Sequence, residues 1–284
     1  MESPSTHFST QSAFPINQLK TLTSTVRSVA KEAGGFIRSE FGKVSHSDIQ
    51  EKDMNSLVSY VDINAEKLIV EKLKAALPGA GFITEEGTSS LTNDHLYWII
   101  DPLDGTTNFL KGLPVFSVSI ALANADEILM GVVYDITQDW CFHAIKGQGA
   151  FMDDEKITVS SEDDFSKCII ATGFPYEPIG QDSVIFKILQ NIIQDTRGIR
   201  RLGSAAIDLA YVACGKFDGF YETTLNAWDM AAGVVLVEEA GGIVSDLGGN
   251  EINNIEVGVK HATPVLASAN NELHGKALEV LNVR

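Results

Sequence analysis

The sequence predicts an α+β fold with α/β character, built from layered sheets and helices. Three observations carry this. A long helical pattern opens the chain, strand-like runs separated only by short polar turns follow it, and the last part alternates helix-like and strand-like segments. A mainly antiparallel N-terminal sheet and a smaller C-terminal α/β part are therefore expected.

Residues 1–14, rich in Ser and Thr, read as a flexible lead-in. One domain is expected over 15–284, with sub-regions of about 15–160 and 161–284. Leu19, Leu22, Val26, Val29, Ala30, Ala33, Ile37 and Phe41 recur at three- and four-residue steps and predict an amphipathic helix over 16–41. The polar stretch 43–57 reads as a loop. Asp62 is placed to cap a second helix reaching about Leu77, with Ile63, Val70, Leu73 and Leu77 on one face and Pro78-Gly79 as its stop. Strands are expected at 81–84, 96–100, 116–123, 128–134 and 140–145; no helix long enough for a crossover separates them. Beyond 160 the expected order is strand 169–172, helix 184–194, strand 198–201, helix 205–214, strand 219–221, helix 228–240, strands 242–244 and 265–268, and helix 271–282.

The formal net charge of −17 argues against nucleic acid or an anionic membrane as a surface partner, because both need a basic face. An anionic ligand would need cations between it and this chain. Cys141, Cys168 and Cys214 lie far apart without C-x-x-C spacing, which argues against a disulfide framework or thiolate zinc site. Buried reduced thiols in a cytoplasmic protein are the expectation. The N-terminus lacks the basic and apolar regions of a secretory signal, and no apolar stretch is long enough for a bilayer.

The acidic residues carry the chemical signal. The apolar run Leu96–Ile100 leads into Asp101-Pro102-Leu103-Asp104-Gly105, where Pro102 is expected to stop the strand and Asp104-Gly105 to turn the chain. Two carboxylates at a strand mouth, the Leu103 carbonyl and free amides near Thr106 and Thr107 offer hard oxygen ligands to Mg²⁺ and donors to an anion. Glu85-Glu86 end another strand-like run, and Asp229 opens a helix in Trp228-Asp229-Met230-Ala231-Ala232-Gly233. Each has an ordinary structural use, as a turn acid or helix cap; the combination is what points to metal-assisted chemistry. There is no phosphate-binding G-x-x-x-x-G-K-[ST], no alternating EF-hand acids and no D-x-D nucleophile turn. Gly147-Gln148-Gly149 reads as a turn, and His7, His46, His95, His143, His261 and His274 show no metal-ligand spacing.

Asp101–Phe109 together with Trp228–Gly233 resembles the two signature segments of the inositol monophosphatase family, with the likeness running from about 18 to 282. The resemblance implies a layered αβαβα sugar-phosphatase architecture, a homodimer, lithium sensitivity, and two or three Mg²⁺ per site. It implies Glu85, Asp101, the Leu103 carbonyl, Asp104 and Asp229 as metal ligands. Thr106 and Asp62 match the catalytic pair that orients the attacking water, with Glu85 beside them. Asp104, Gly105, Thr106, Ser204, Ala205 and Glu222 match substrate-binding positions. Lys52 resembles a lysine near the metals, one residue closer to Asp62 than in the family pattern. The expected activity is hydrolysis of myo-inositol 1-phosphate and related polyol phosphates. Another sugar phosphate such as fructose 1,6-bisphosphate, or a non-catalytic regulatory role, is the alternative.

Overall fold

A computed structural model describes residues 14–45, 50–53, 56–89, 95–175, 180, 183–252 and 263–282. The expected lead-in lies outside them apart from Phe14. Helix α1 spans Ile16–Glu40 and buries Leu19, Leu22, Val26, Val29, Ala30, Ala33 and Ile37, the stripe its spacing predicts. The stretch expected as a loop instead carries a small antiparallel hairpin, β1 (Gln50–Asp53) and β2 (Ser56–Val58). Helix α2 (Tyr60–Ala76) starts one turn ahead of the expected cap: Ser59 is the N-cap, and Asp62, at the third helical position, closes a capping box with it. Its buried face is Val61, Asp62, Ala65, Glu66, Ile69, Val70 and Leu73, so two acids lie on the side expected to be purely apolar.

Seven strands then form one sheet in the order β3 (Gly81–Thr84), β4 (Leu96–Asp104), β5 (Ser117–Asn124), β6 (Ile128–Asp135), β7 (Trp140–Ile145), β8 (Gly149–Met152) and β9 (Glu155–Ile157). Only β3 and β4 pair in parallel; the other neighbours are antiparallel. A second sheet runs β11 (Gly198–Arg200), β10 (Ile169–Thr172), β12 (Gly219–Leu225), β14 (Thr263–Ser268) and β13 (Ile243–Ser245), parallel around β10 and antiparallel around β14. The remaining helices are α3 (Thr106–Lys111), α4 (Val184–Asp195), α5 (Ala205–Ala213), α6 (Ala227–Glu239) and α7 (Asn271–Leu281).

Alternation along each strand sorts these elements into five layers. On β4, Trp98 and Ile100 join the core of α1 and α2, whereas Tyr97 and Ile99 join the core of α5 and α6. That second core continues through Ala171, Phe220, Val265 and Ala267 of the smaller sheet, whose outer face packs Ile170, Tyr221 and Leu266 against α4 and α7. The arrangement is αβαβα, with α5 and α6 sandwiched between the sheets. Among the described residues no helix is long and apolar enough to cross a membrane.

Candidate active site

The site begins where β4 breaks register. Asp101 stands opposite Ser119 on β5 and Asp104 opposite Ser117, so the bulge places two residues of β4, Pro102 and Leu103, against one of β5, Val118. Pro102 therefore sits in a bulged strand rather than ending it, because a bulge needs no ladder amide from that position. Gly105 follows at φ +96°, and a Cβ there would meet the Val115 carbonyl oxygen at 2.9 Å and that of Gly203 at 3.2 Å. Glycine is required by both backbone conformation and space. The Asn108 side chain donates to the carbonyls of Val115 and Leu202, both at 2.8 Å, tying α3 to the loop ahead of α5.

Glu85, Asp101, Leu103, Asp104, Gly105, Thr106 and Asp229 line one cavity of about 310 Å³. Ser204, Ala205 and Glu222 line a smaller recess that shares Asp104 and Asp229 with it. Asp62 is not a lining residue: fully buried on α2, it reaches the cavity through Thr106, whose Oγ1 lies 2.9 Å from Asp62 Oδ1 and 3.0 Å from the Leu103 carbonyl. A hydroxyl has one proton, so donating it to Asp62 frees the Leu103 carbonyl. Asp62 Oδ2 accepts from the Ser59 amide at 2.9 Å and hydroxyl at 2.7 Å. Glu86 contributes its amide to Glu66 and does not line the cavity. The side chain of Lys52 lies outside the described residues.

Each acid is held by a different element. Asp101 Oδ1 accepts from the Leu103 amide at 2.9 Å, and Asp104 Oδ2 from the Ser204 hydroxyl at 2.6 Å and the Ala206 amide at 2.8 Å. Asp229 Oδ2 accepts from the Asn226 amide at 2.7 Å, so the acid caps α6 and faces the cavity as well. The backbone just after Glu85 is held by Glu66, a fully buried acid on α2 that accepts from the Glu86 and Thr88 amides, each at 2.8 Å.

Burial first, and then Glu85, Asp104 and Asp229, push the Asp101 carboxyl well above its ordinary range. Burial and the charges of Glu85 and Asp104 do the same to Asp229. Burial raises Asp104 too, against the lowering pull of Ser204 and the α5 amides. Glu222 is pushed up to about 8 by burial, with Arg201 opposing. Asp101 shares a side-chain hydrogen bond with Glu85, and two carboxyls in contact require a proton or a cation between them.

The donors are all oxygen, which suits a hard divalent cation and not a soft one. Among the described residues no group of three or more acidic, His or Cys side chains stands close enough together to hold a metal ion. The acids line the walls, three of them anchored to backbone amides. Sequence reasoning did not single out Glu66, Asn108, Arg201 or Asp208. The available signal for Glu66 and Asp208 was an acid on the apolar face of a helix pattern.

The five-layer fold and the carboxylate-walled cavity define the class, a phosphatase. Within it, residues 18–282 match the inositol monophosphatase family, and the chain belongs to that family. It is 43% identical over 223 residues to the inositol-1-monophosphatase of Mesorhizobium japonicum, covering 78% of this chain and 84% of that one. It is 41% identical over 221 residues to the Nus factor SuhB of Escherichia coli K12, covering 78% and 83%. Among solved structures, the suppressor protein SuhB of Bartonella henselae superposes with a TM-score of 0.84 at 38% identity, over 92% of this chain and 98% of that one. The Thermotoga maritima IMPase superposes at 0.81 and 31% identity, over 94% and 97%.

Proposed function

We propose that this chain is a Mg²⁺-dependent phosphomonoesterase that hydrolyses myo-inositol 1-phosphate and related polyol phosphates. The observation that carries the reading is the chain of contacts from Ser59 through Asp62 to Thr106 and the Leu103 carbonyl, opening onto a cavity walled by four acids. Glu85, Asp101, the Leu103 carbonyl, Asp104 and Asp229 would hold two or three Mg²⁺. The ions would screen the phosphate from the carboxylates, lower the pKa of the attacking water and stabilise the leaving alkoxide.

The protein's own groups supply positioning. Thr106 Oγ1 holds the attacking water and passes its proton toward Asp62 Oδ1, which Ser59 keeps oriented. First-turn amides of α3, from Gly105 onward, have no intrahelical acceptors and line the cavity where the phosphate would lie. Ser204, Ala205 and Glu222 take the alcohol portion in the adjoining recess. Inhibition by Li⁺ and a cytoplasmic setting go with this reading. A homodimer does too: α4 exposes Val184, Phe186 and Ile193 at about half their surface, which favours a second copy as their cover.

The test is phosphate release from a panel of inositol 1-phosphate, fructose 1,6-bisphosphate, histidinol phosphate and adenosine 3′,5′-bisphosphate at fixed Mg²⁺. Inositol 1-phosphate should be hydrolysed fastest, EDTA should abolish release, and Asp104→Asn should lose at least about a thousandfold in kcat/KM. A second reading, a binding protein of the transcription machinery, is favoured by relatives that carry the name Nus factor SuhB. Wild-type protein that binds Mg²⁺ yet releases no phosphate from any of these esters would replace the first reading with the second.

A further inference from the structure

A separate cavity of about 260 Å³ opens between α1 and the β7–β8 hairpin, lined in part by Lys20, Ser24 and Arg27 from the helix and by His143, Ile145 and Phe151 from the strands. It shares no residue with the acid-walled cleft. Strand β7 lies three positions from β4 in the sheet, about 14 Å at the usual strand spacing. His143 pairs with Phe151 and Ile145 with Gly149, so strand alternation turns all four toward the face that α1 covers. The acidic cleft has four carboxylates in its walls; among the described residues none that lines this cavity is acidic, in a chain of net charge −17.

The walls are fixed from outside. Glu239 on α6 accepts the Gly147 amide at 2.6 Å and the Gly149 amide at 2.7 Å, which holds the turn between β7 and β8. His143 Nε2 donates to the Asp153 carbonyl at 2.8 Å, and its ring stacks on Phe151 with centroids 5.4 Å apart and planes at 13°. Burial lowers the His143 imidazole below its usual range, so the charge of the cavity comes from Lys20 and Arg27. The acids of the next turn are already matched: Asp154 takes one guanidinium nitrogen of Arg27 at 3.1 Å, and Asp153 pairs with Lys31 at 3.2 Å. Arg27 keeps further donors, and Lys20 makes no ion pair among the described residues. A Cβ on Gly149 would lie 3.6 Å from Lys156 Nζ, which sets a third cation beside the cavity. Cations gathered at a concave site attract anions, and the apolar faces of Ile145 and Phe151 next to them suit a hydrocarbon ring. At about 30 Å³ per water the volume equals on the order of nine waters, room for one bicyclic ring and a charged group.

We propose that this cavity is a second, non-catalytic binding site that takes a small organic anion made of a flat apolar ring and one charged group. The charged group lies toward Lys20 and Arg27, and the ring against Ile145 and Phe151. The proposal stands apart from the phosphatase reading, since the two cavities have no wall in common.

The experiment is isothermal titration calorimetry of the full chain at saturating Mg²⁺ with three probes: naphthalene-1-sulfonate, naphthalene-1-methanol and inorganic sulfate. The sulfonate should bind once per chain, about tenfold more tightly than the neutral ring or the bare anion. Lys20→Gln should weaken it about threefold, and Lys20→Gln combined with Arg27→Gln about tenfold. Ser24→Trp, which fills the cavity from the helix, should abolish binding. Lys20 and Ser24 are exposed, so their single variants carry the test if losing the Arg27–Asp154 pair unfolds the double variant. Asp104→Asn, in the other cavity, should bind the sulfonate as wild type does. No sulfonate binding up to about 10 mM overturns the proposal, as does equal binding of the neutral ring or of sulfate. Affinity unmoved by Lys20→Gln and Ser24→Trp, or lost in Asp104→Asn, would put the probe elsewhere and overturn it too. None of these outcomes touches the phosphatase reading.

Discussion

Two walls of the cleft bury acids and treat them in opposite ways. On α2, both oxygens of Glu66 accept backbone amides, and Asp62 accepts from Ser59 twice and from Thr106 once. Across the cleft, Asp208 has no donor, Glu222 has none among the described residues, and Asp229 has a single amide. The first set is tied into the fold by its donors, which offset part of the desolvation; burial still raises the Asp62 carboxyl against the pull of Ser59 and Thr106. The second set has fewer protein donors, and burial with the neighbouring acids raises all three carboxyls.

The comparison is broken most severely at Thr106, where the two walls meet. Thr106→Val removes the hydroxyl and should lower kcat by about a thousandfold, about 4 kcal/mol. Thermal melts should still show stabilisation by Mg²⁺. Turnover within tenfold of wild type would remove the Asp62–Thr106 pair from the chemistry. Next in size is Glu66→Ala, which strands the Glu86 and Thr88 amides and should cost ~3 kcal/mol in urea unfolding. Glu66→Gln keeps one acceptor oxygen and should cost less than half as much. Equal losses for the two variants would mean that cavity formation, rather than hydrogen bonding, dominates there.

The open wall is sharpened by pH. A raised carboxyl such as Glu222 binds its proton in the folded state at pH values where the unfolded chain has released it. The folded state then holds more protons than the unfolded one between the ordinary carboxylate range and about 8, so stability of the metal-free protein falls as pH rises through that window. In the proposed reading the ionised carboxyls are the ligands of Mg²⁺, so the ion should reverse the trend; at a hundredfold excess over Kd it should add ~2.7 kcal/mol. Melts in EDTA and in Mg²⁺ at about pH 6 and about pH 8 check this, and a Tm gap that narrows toward high pH would contradict it. The smallest effect is expected at Gly173. Gly173→Ala should cost ~1–2 kcal/mol of stability and raise KM for inositol 1-phosphate several-fold by displacing Glu222.

Much of this was legible before any coordinates. The periodic stripe of α1, the antiparallel run from β4 to β7 and the alternation of α4 through α7 follow from patterns of apolar residues, which local sequence displays. The hairpin β1–β2 escaped because Gln50-Glu51-Lys52-Asp53 has no apolar alternation. The bulge at Pro102 escaped because it is defined by register against Ser117 and Ser119 on another strand. Asp62, which the sequence marks as a cap, is the other half of a capping box whose cap is Ser59. Glu66 and Asp208 are hidden from the sequence for a different reason. An acid among apolar residues tells a reader that it will be buried, and only tertiary structure tells whether a donor will meet it.

The placement of α6 between the sheets has a consequence for the order of assembly. Asp229 stands at its first turn, while Glu85, Asp101 and Asp104 come from the first sheet, synthesised long before. A growing chain that has completed β3 through β9 owns three of the four acidic walls yet lacks the fourth, and Asp104 still lacks the Ser204 and Ala206 donors that α5 brings. If the four acids hold Mg²⁺ as proposed, tight capture of the ion would require the last third of the chain to have docked.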